Sequence, residues 1–228
     1  MRDIEILYED KELVVVCKSP GVPCQPDKTG ADDLATVLSS RIGYIGVVHR
    51  LDRPVGGVMV FAKTKEANAK LSQQASRGFQ KTYLAVVQPE PGEVPKRGEL
   101  RHFLVKNERL GVSSVVDRAH VRGAKEAVLR YELCQTIYID GATLSLLKVN
   151  LLTGRHHQIR VQLASAGMPI WGDTKYGRKQ RPGHNVALWA YSLGLRHPSG
   201  GREMSFTNKP RNAEPFDLFE LTDIDIKP

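Results

Sequence analysis

The stretch that decides the fold and the site is His49-Arg50-Leu51-Asp52-Arg53-Pro54-Val55-Gly56-Gly57. It separates two apolar segments, Val47-Val48 and Val58–Ala62, and its proline and paired glycines predict a tight turn. Loops on a rigid scaffold are where catalytic side chains usually lie, and the glycines let a ligand approach the backbone closely. Aspartate is also a common turn former, so a purely structural Asp52 is the commoner explanation of this stretch taken by itself.

Outward from this turn, the apolar patterning predicts many short strands and few helices. The predicted strands are 13–17, 58–62, 82–87, 127–134, 143–152, 186–195 and 204–207, and the predicted helices run from Asp32 or Asp33 to Leu38, over 66–77 and over 156–166. Residues 88–124, rich in Pro, Gly and basic side chains, are expected to form a long loop or a hairpin. The predicted fold class is therefore α+β: one domain over 1–228, with a mainly antiparallel mixed sheet and flanking helices.

Positive charge is the first functional signal. The 228 residues include 33 Lys and Arg against 25 Asp and Glu, a formal net charge of +8. Such a balance suits a polyanion such as RNA, although excess charge also simply keeps a protein in solution. The charge is clustered: residues 96–125 hold eight basic and three acidic side chains, residues 153–181 hold six and one, and residues 213–226 hold five acidic and no basic ones. This clustering favours a nucleic-acid partner.

Composition and cysteine usage exclude several classes of protein. A hydrophobic share of 41% and a charged share of 25% exclude collagen-like, disordered and disulfide-scaffold proteins. No apolar run approaches the roughly 20 residues that cross a membrane, or the roughly 7–15 of a signal-peptide core. The cysteines at 17, 24 and 134 match no zinc or disulfide pattern. We therefore expect a soluble, cytoplasmic protein with no metal, no cofactor and no membrane partner.

Two further segments carry polar side chains that suit RNA. In Lys81-Thr82-Tyr83, strand alternation places Lys81 and Tyr83 on one face, where Tyr83 either stacks on a base or serves as an ordinary buried tyrosine. In the segment 153–160, Thr153-Gly154 leads from a strand into a helix, and the backbone N–H groups at a helix start attract phosphates. The alternative for this segment is a surface helix capped by Thr153.

Together these segments resemble the RluA-type pseudouridine synthases, whose signature is His-Arg-Leu-Asp-x-x-Thr-Ser-Gly. The first four residues match at His49 to Asp52, whereas Val55-Gly56 stand where the family has Thr-Ser, which removes two hydroxyls. The other matches follow in the family's order: Val14 to Pro23, Lys81-Thr82-Tyr83, Thr153 to Arg160, Gly172-Asp173-x-x-Tyr176-Gly177, and His197-Pro198 with Met204-Ser205-Phe206.

The resemblance implies an RNA pseudouridine synthase that acts on tRNA or rRNA. In that reaction the N1–C1′ bond of a uridine breaks, the uracil turns, and C5 is joined to C1′. The resemblance implies Asp52 as the catalytic carboxylate, Arg160 as its ion-pair partner and Tyr83 as the residue that packs against the target base. A target inside folded RNA must be flipped out, at a cost of a few kcal/mol of stacking.

The resemblance also bears on RNA binding and on organisation. Arg50 is implied to fill the gap that the flipped base leaves, although holding a phosphate is an equal alternative for it. The remaining predicted RNA-binding residues are Arg53, Lys81, Arg155, His157 and Gln158. The N-terminal S4 RNA-binding domain that many family members carry is expected to be absent, so the catalytic domain itself would grip the RNA. A monomer is expected.

Two other functions stay open on the sequence. An RNA-binding protein without catalysis keeps the charge clusters and the fold, and the Val55-Gly56 departure is its sequence support. A base-excising glycosidase would use one Asp and a flipped base, but the sequence offers no second well-placed carboxylate for the usual paired-acid mechanism.

Overall fold

The computed structural model describes residues 4–90, 94–117, 121–139, 141–177 and 185–222. Parts of three segments discussed above lie outside these residues: 91–93 and 118–120 of the segment 88–124, 178–181 of the basic segment 153–181, and 223–226 of the acidic segment 213–226. None of the described helices is long and apolar enough to cross a membrane.

Eleven strands and three α-helices follow one another along the described residues. In chain order they are β1 Glu5–Glu9, β2 Leu13–Lys18, α1 Leu34–Ile42, β3 Gly46–Val47, β4 Gly56–Ala62, α2 Lys65–Arg77, β5 Gln80–Val87, β6 Arg97–Asn107, β7 Val112–Val116, β8 Lys125–Ile139, β9 Ala142–Leu151, α3 Gln158–Ser165, β10 Leu188–Arg196 and β11 Glu203–Thr207. A short 3₁₀ turn covers Phe216–Leu218.

The chain divides into two compact units. The first comprises residues 1–81, 189–210 and 227–228, and the second comprises residues 82–188 and 211–226. That all 228 residues form one domain stays a prediction.

The first unit is built on strands in the order β1-β2-β4-β10, with β3 paired to β4 and β11 paired to β10. β2 and β4 are apolar and buried along almost their whole length, and they pair antiparallel from Leu13 and Ala62 to Lys18 and Gly57. Helix α2 covers one face, because Ala67 and Leu71 pack into a core with Val15, Val60 and Leu193 among others. The turn that carries Asp52 leads directly into β4.

The second unit contains strands in the order β5-β9-β8-β6-β7, and α3 packs near β6 and β7. The pairs β9-β8, β8-β6 and β6-β7 are antiparallel. Val161 of α3 contacts the core residues Leu104 and Ala127. The basic segment predicted as a loop or hairpin is a hairpin, formed by β6 and β7.

Three local predictions need correction. Strand β1 was not predicted, because its sequence Glu-Ile-Leu-Tyr-Glu is only half apolar and lies at a sheet edge. Helix α1 continues past Leu38 to Ile42, where Gly43 ends it. Helix α3 begins at Gln158 rather than at 156, because His157 takes a left-handed conformation (φ 53°), and Thr153 therefore does not cap it.

Candidate active site

The backbone on both sides of Asp52 is held by buried side chains. Before it, the Leu51 N–H donates to the sulfur of Cys24 (3.4 Å), and the Cys24 thiol donates back to the Leu51 carbonyl (3.1 Å). After it, the Arg53 carbonyl accepts from the Lys18 ammonium (2.9 Å) and from the Gly21 N–H (2.8 Å). The carboxylate itself is half-buried, on a turn whose position the segment 18–24 determines.

Lys18 is a fully buried cation beside this turn. Its ammonium donates to the carbonyls of Ser19, Val22 and Arg53, at 3.0, 2.8 and 2.9 Å. Burial lowers the pKa of Lys18 to about 8, while nearby negative charge, including Asp52, opposes that shift. Lys18 therefore places positive charge near Asp52 and holds three backbone carbonyls around its own ammonium.

The two arginines that flank Asp52 differ in their surroundings. Arg53 donates from Nε to the Gly21 carbonyl (3.0 Å) and from Nη1 to the Thr29 hydroxyl (3.0 Å), and it lies 3.5 Å from a carboxylate oxygen of Asp27. Arg50 is exposed. Arg50 thus presents its charge to solvent, whereas Arg53 uses two of its N–H donors in hydrogen bonds to Gly21 and Thr29.

His49, the first residue of the signature, is half-buried against β4. Its Nε2 accepts a hydrogen bond from the Val60 N–H (3.1 Å), and its ring meets Phe79 edge-on. Burial, together with the Lys81 ammonium, lowers the pKa of His49 to about 3. Burial also lowers the pKa of Lys81, which lies over the Phe79 ring. His49 is therefore a neutral, structural acceptor at neutral pH.

Arg160 forms a buried ion pair within the second unit. Its Nε and Nη2 donate to the two carboxylate oxygens of Asp173, both at 2.7 Å, and the two side chains are 3% and 0% exposed. The guanidinium also lies 5.3 Å from the ring centroid of Tyr176. Asp173 and Tyr176 both belong to the Gly-Asp-x-x-Tyr-Gly segment. This segment therefore supplies two of the contacts of the Arg160 guanidinium.

Tyr83 and His157 are also buried residues of this unit. Tyr83 lies on β5 with 7% of its surface exposed. His157 hydrogen-bonds through Nδ1 to the Tyr176 hydroxyl (2.8 Å) and stacks on His156, with ring centroids 3.8 Å apart. The Tyr176 ring thus contacts both His157 and Arg160.

Gln158 and Arg155 stand in contrasting environments. The Gln158 amide oxygen accepts from the Thr153 hydroxyl and the Arg155 N–H, and its nitrogen donates to the Val128 carbonyl. The side chain is buried, so this geometry supports a structural role, and RNA binding by Gln158 stays a prediction. Arg155 is exposed and donates from Nε to the Glu126 carbonyl (2.8 Å).

Part of the basic cluster at 96–125 is paired in the fold, where Arg97, Arg101 and Lys106 each contact a carboxylate. Arg101 binds both Glu99 and Glu126, Arg130 binds the other oxygen of Glu99, and Arg97 binds Glu132 across the paired strands β6 and β8. Clustering along the sequence therefore overstates the positive charge of this surface, because the facing strand supplies the acids.

Comparison with known proteins agrees with the geometry of the signature turn. The sequence model of the family described as RNA pseudouridylate synthase matches residues 12–165, which include Lys18, Asp52 and Arg160. The chain is 31% identical over 227 residues to a protein of Zymomonas mobilis named ribosomal large subunit pseudouridine synthase D. That match covers 89% of this chain and 68% of the relative. The chain belongs to the RNA pseudouridine synthase family.

Three other comparisons add to this result. A tRNA pseudouridine synthase C of Vibrio parahaemolyticus is 29% identical, with 89% of this chain and 88% of the relative covered. A solved human structure, RNA pseudouridylate synthase domain containing 1, superposes with a TM-score of 0.76 at 22% identity, covering 91% of this chain and 84% of that one. The chain also matches a ribosomal large subunit pseudouridine synthase D of Neisseria meningitidis, but it spans only 57% of that relative's length.

These matches confirm the predicted family, the α+β fold class and the enzyme class, an RNA pseudouridine synthase. The roles of individual pseudouridine synthase residues stay predictions. Sequence reasoning missed Cys24 as a structural support of the Asp52 turn, and no local pattern around this residue indicates such a contact. It quoted Lys18 and Asp173 only as parts of motifs, and their burial is what distinguishes them.

Proposed function

We propose that this chain converts uridine in tRNA or rRNA to pseudouridine, with Asp52 as the catalytic carboxylate. Its relatives are named for both RNA classes, a ribosomal large subunit enzyme and a tRNA enzyme, so both stay within the proposal. The reaction is an isomerisation: the N1–C1′ bond breaks, a C5–C1′ bond forms, and the hydrogen on C5 leaves as a proton while N1 gains one. No oxidant or reductant is needed.

The observation that carries the proposal is the way in which Asp52 is held. Its neighbours Leu51 and Arg53 are each tied to buried groups, and Asp52 itself is half-buried. A group that attacks or deprotonates a substrate needs this combination of a fixed backbone and an accessible side chain.

The other predicted residues have roles that follow the resemblance. Arg160 is proposed to pair with Asp52, and Tyr83 to pack against the flipped uracil. Arg50 is proposed to occupy the gap in the RNA. The remaining RNA-binding set is Arg53, Lys81, Arg155, His157 and Gln158. Action as a monomer in the cytoplasm belongs to the same proposal.

The test uses total tRNA and rRNA labelled with tritium at C5 of uridine. The wild-type chain should release tritium and leave pseudouridine at defined positions, located by mass spectrometry. Asp52→Asn should abolish release, because the amide is neither a nucleophile nor a base, whereas Asp27→Asn, in the neighbouring loop, should retain it. Release by Asp52→Asn at the wild-type rate would contradict the assignment.

Product analysis separates the alternatives. Tight RNA binding without tritium release would favour an RNA-binding protein without catalysis. Free uracil among the products would favour a base-excising glycosidase.

A further inference from the structure

A side chain at position 56 would collide with a neighbouring indole, although the backbone conformation of Gly56 would allow one. Gly56 is absent from the glycines with positive φ, so its backbone conformation suits any residue. A Cβ placed on it would lie 2.3 Å from Cζ3 of Trp189 and 2.7 Å from Cε3, and 3.0 Å from Cδ of Pro20. The space where the family signature carries a serine is thus filled by the Trp189 ring.

Trp189 is fixed in this position from two sides. β10 pairs parallel with β4 in the register Trp189 to Gly56 and Ala190 to Gly57. The indole Nε1 donates to the Asn208 carbonyl (2.8 Å), and the side chain is 7% exposed. The ring therefore has little freedom to move away from a larger residue at position 56.

Gly56 is also connected to Asp52 by a short and rigid path. The Val55 N–H donates to the Asp52 carbonyl (2.9 Å), which closes the turn immediately before Gly56. The Val55 side chain is 2% exposed, so the turn cannot shift outward without uncovering it. On the far side of Gly56, Pro20 belongs to the segment whose Gly21 N–H binds the Arg53 carbonyl. A displacement of Gly56 would therefore move Asp52 in two ways, through the Val55–Asp52 hydrogen bond and through the Pro20-Gly21 segment that binds Arg53.

We propose that Trp189 is a positioning residue for Asp52, acting through the space left by Gly56, so that the glycine and the tryptophan form a matched pair. The indole holds the end of the Asp52 turn in the place of the serine that the signature usually has. The inference rests on the proposed catalytic role of Asp52.

A double-mutant cycle tests the pair: Gly56→Ser, Trp189→Leu and the two combined. Gly56→Ser should lower the single-turnover rate about 100-fold, because a displacement of about 1 Å at a reacting group costs that much. KM for RNA should change less than about twofold, because RNA-binding side chains are untouched. Trp189→Leu should lose about tenfold in rate, since the turn loses its wall. The combined variant should be at least tenfold faster than Gly56→Ser, because removal of the ring makes room for the serine.

Gly57→Ala is the matched control. A Cβ on Gly57 would lie 2.2 Å from the Ala190 backbone carbonyl, and Gly57 has a φ of 117°, so its side chain is excluded by backbone alone. Trp189→Leu should therefore rescue Gly56→Ser but not Gly57→Ala. Equal rescue of both, or rescue of neither, would overturn the proposal.

A readout independent of turnover separates this inference from the proposed function. The carboxyl ¹³C titration of Asp52, assigned by its loss in Asp52→Asn, should shift in Gly56→Ser and return towards wild type in the combined variant. If the wild-type chain makes no pseudouridine, the proposed function fails, and this titration cycle still decides the pairing. An Asp52 titration unchanged by Gly56→Ser would show that the pair does not position the carboxylate.

Discussion

Arg160 and Asp173 form a two-point ion pair with both charges removed from water. Nε binds one carboxylate oxygen and Nη2 the other, each at 2.7 Å. One Asp173 oxygen also accepts the backbone N–H groups of Lys175 (3.0 Å) and Tyr176 (3.2 Å). Asp173 therefore fixes both the guanidinium and the turn that places Tyr176 against it. Removing either charge would break both of these short hydrogen bonds in a buried environment.

Asp173→Asn should lower the free energy of unfolding by about 3–5 kcal/mol, because it removes the negative charge that two guanidinium nitrogens of Arg160 bind in the interior. Urea denaturation measures the loss. Asp27→Asn is the control, because it removes the exposed Arg53 pair, and exposed pairs contribute about 0–1 kcal/mol. Equal losses for the two variants would show that the Arg160 charge has another sufficient partner.

Two histidines of the first unit should make stability depend on pH in opposite senses. The pKa of His49 is lowered to about 3 by burial. The pKa of His197 is raised, first by the Ser199 carbonyl and further by Asp10, whose carboxylate lies 2.8 Å from Nε2. Below pH about 6.5, His49 binds a proton in the unfolded chain but not in the folded chain. The contribution of His49 to the free energy of unfolding therefore falls as the pH drops from about 6.5 towards 3. The His197 contribution is complete below about 6.5 and is lost as pH rises through its folded pKa.

His49→Gln should therefore flatten the acid side of the stability curve, by up to about 1.4 kcal/mol per pH unit. Glutamine is chosen because its amide oxygen can still accept the Val60 N–H. His197→Gln should instead flatten the decline above pH about 6.5, so each variant controls for the other. The measurement is urea denaturation at a series of pH values. An acid slope that His49→Gln leaves unchanged would contradict the lowered pKa of His49 in the folded chain.

Lys18→Met should destabilise the Asp52 turn, since three backbone carbonyls lose a charged donor. We expect the free energy of unfolding to fall by about 2–4 kcal/mol. This figure is the contribution of the three hydrogen bonds from a charged donor, reduced by the cost of burying the ammonium. Lys28→Met, at an exposed position of the same segment, should change it by less than about 0.5 kcal/mol. A silent Lys18→Met would show that the carbonyls find other donors.

Native thiol labelling should distinguish the three cysteines. Burial raises the pKa of Cys24, and burial with the Glu5 carboxylate raises the pKa of Cys17 to about 12, so neither forms a thiolate readily. Cys134 is exposed, and although burial raises its pKa somewhat, it is the accessible thiol. At about pH 8 an aromatic disulfide reagent should titrate one thiol in the folded chain and all the cysteines in urea. Fast labelling that persists in Cys134→Ser would contradict the burial of the other two.

The sequence by itself determined the elements whose local pattern is strong. The apolar runs of β2 and β4 and the Thr64-capped helix α2, which ends at Gly78, follow from burial, capping and glycine chemistry. Several short motifs in the family's order, among them the His-Arg-Leu-Asp turn, also indicated the family, because the residues of each motif stand close together in the chain. The start of α3 escaped prediction, since nothing local shows that His157 is left-handed.

Only the tertiary structure decided which distant residues support the site. Trp189 lies 133 positions from Gly56, yet the parallel register of β4 and β10 places its ring where a serine would stand. The acids of β8 likewise neutralise arginines of β6 that look like a free basic cluster in the sequence. The physical reason is the same in both cases: strand pairing sets contacts by register and not by separation along the chain, so a pattern confined to one segment carries no record of its partner.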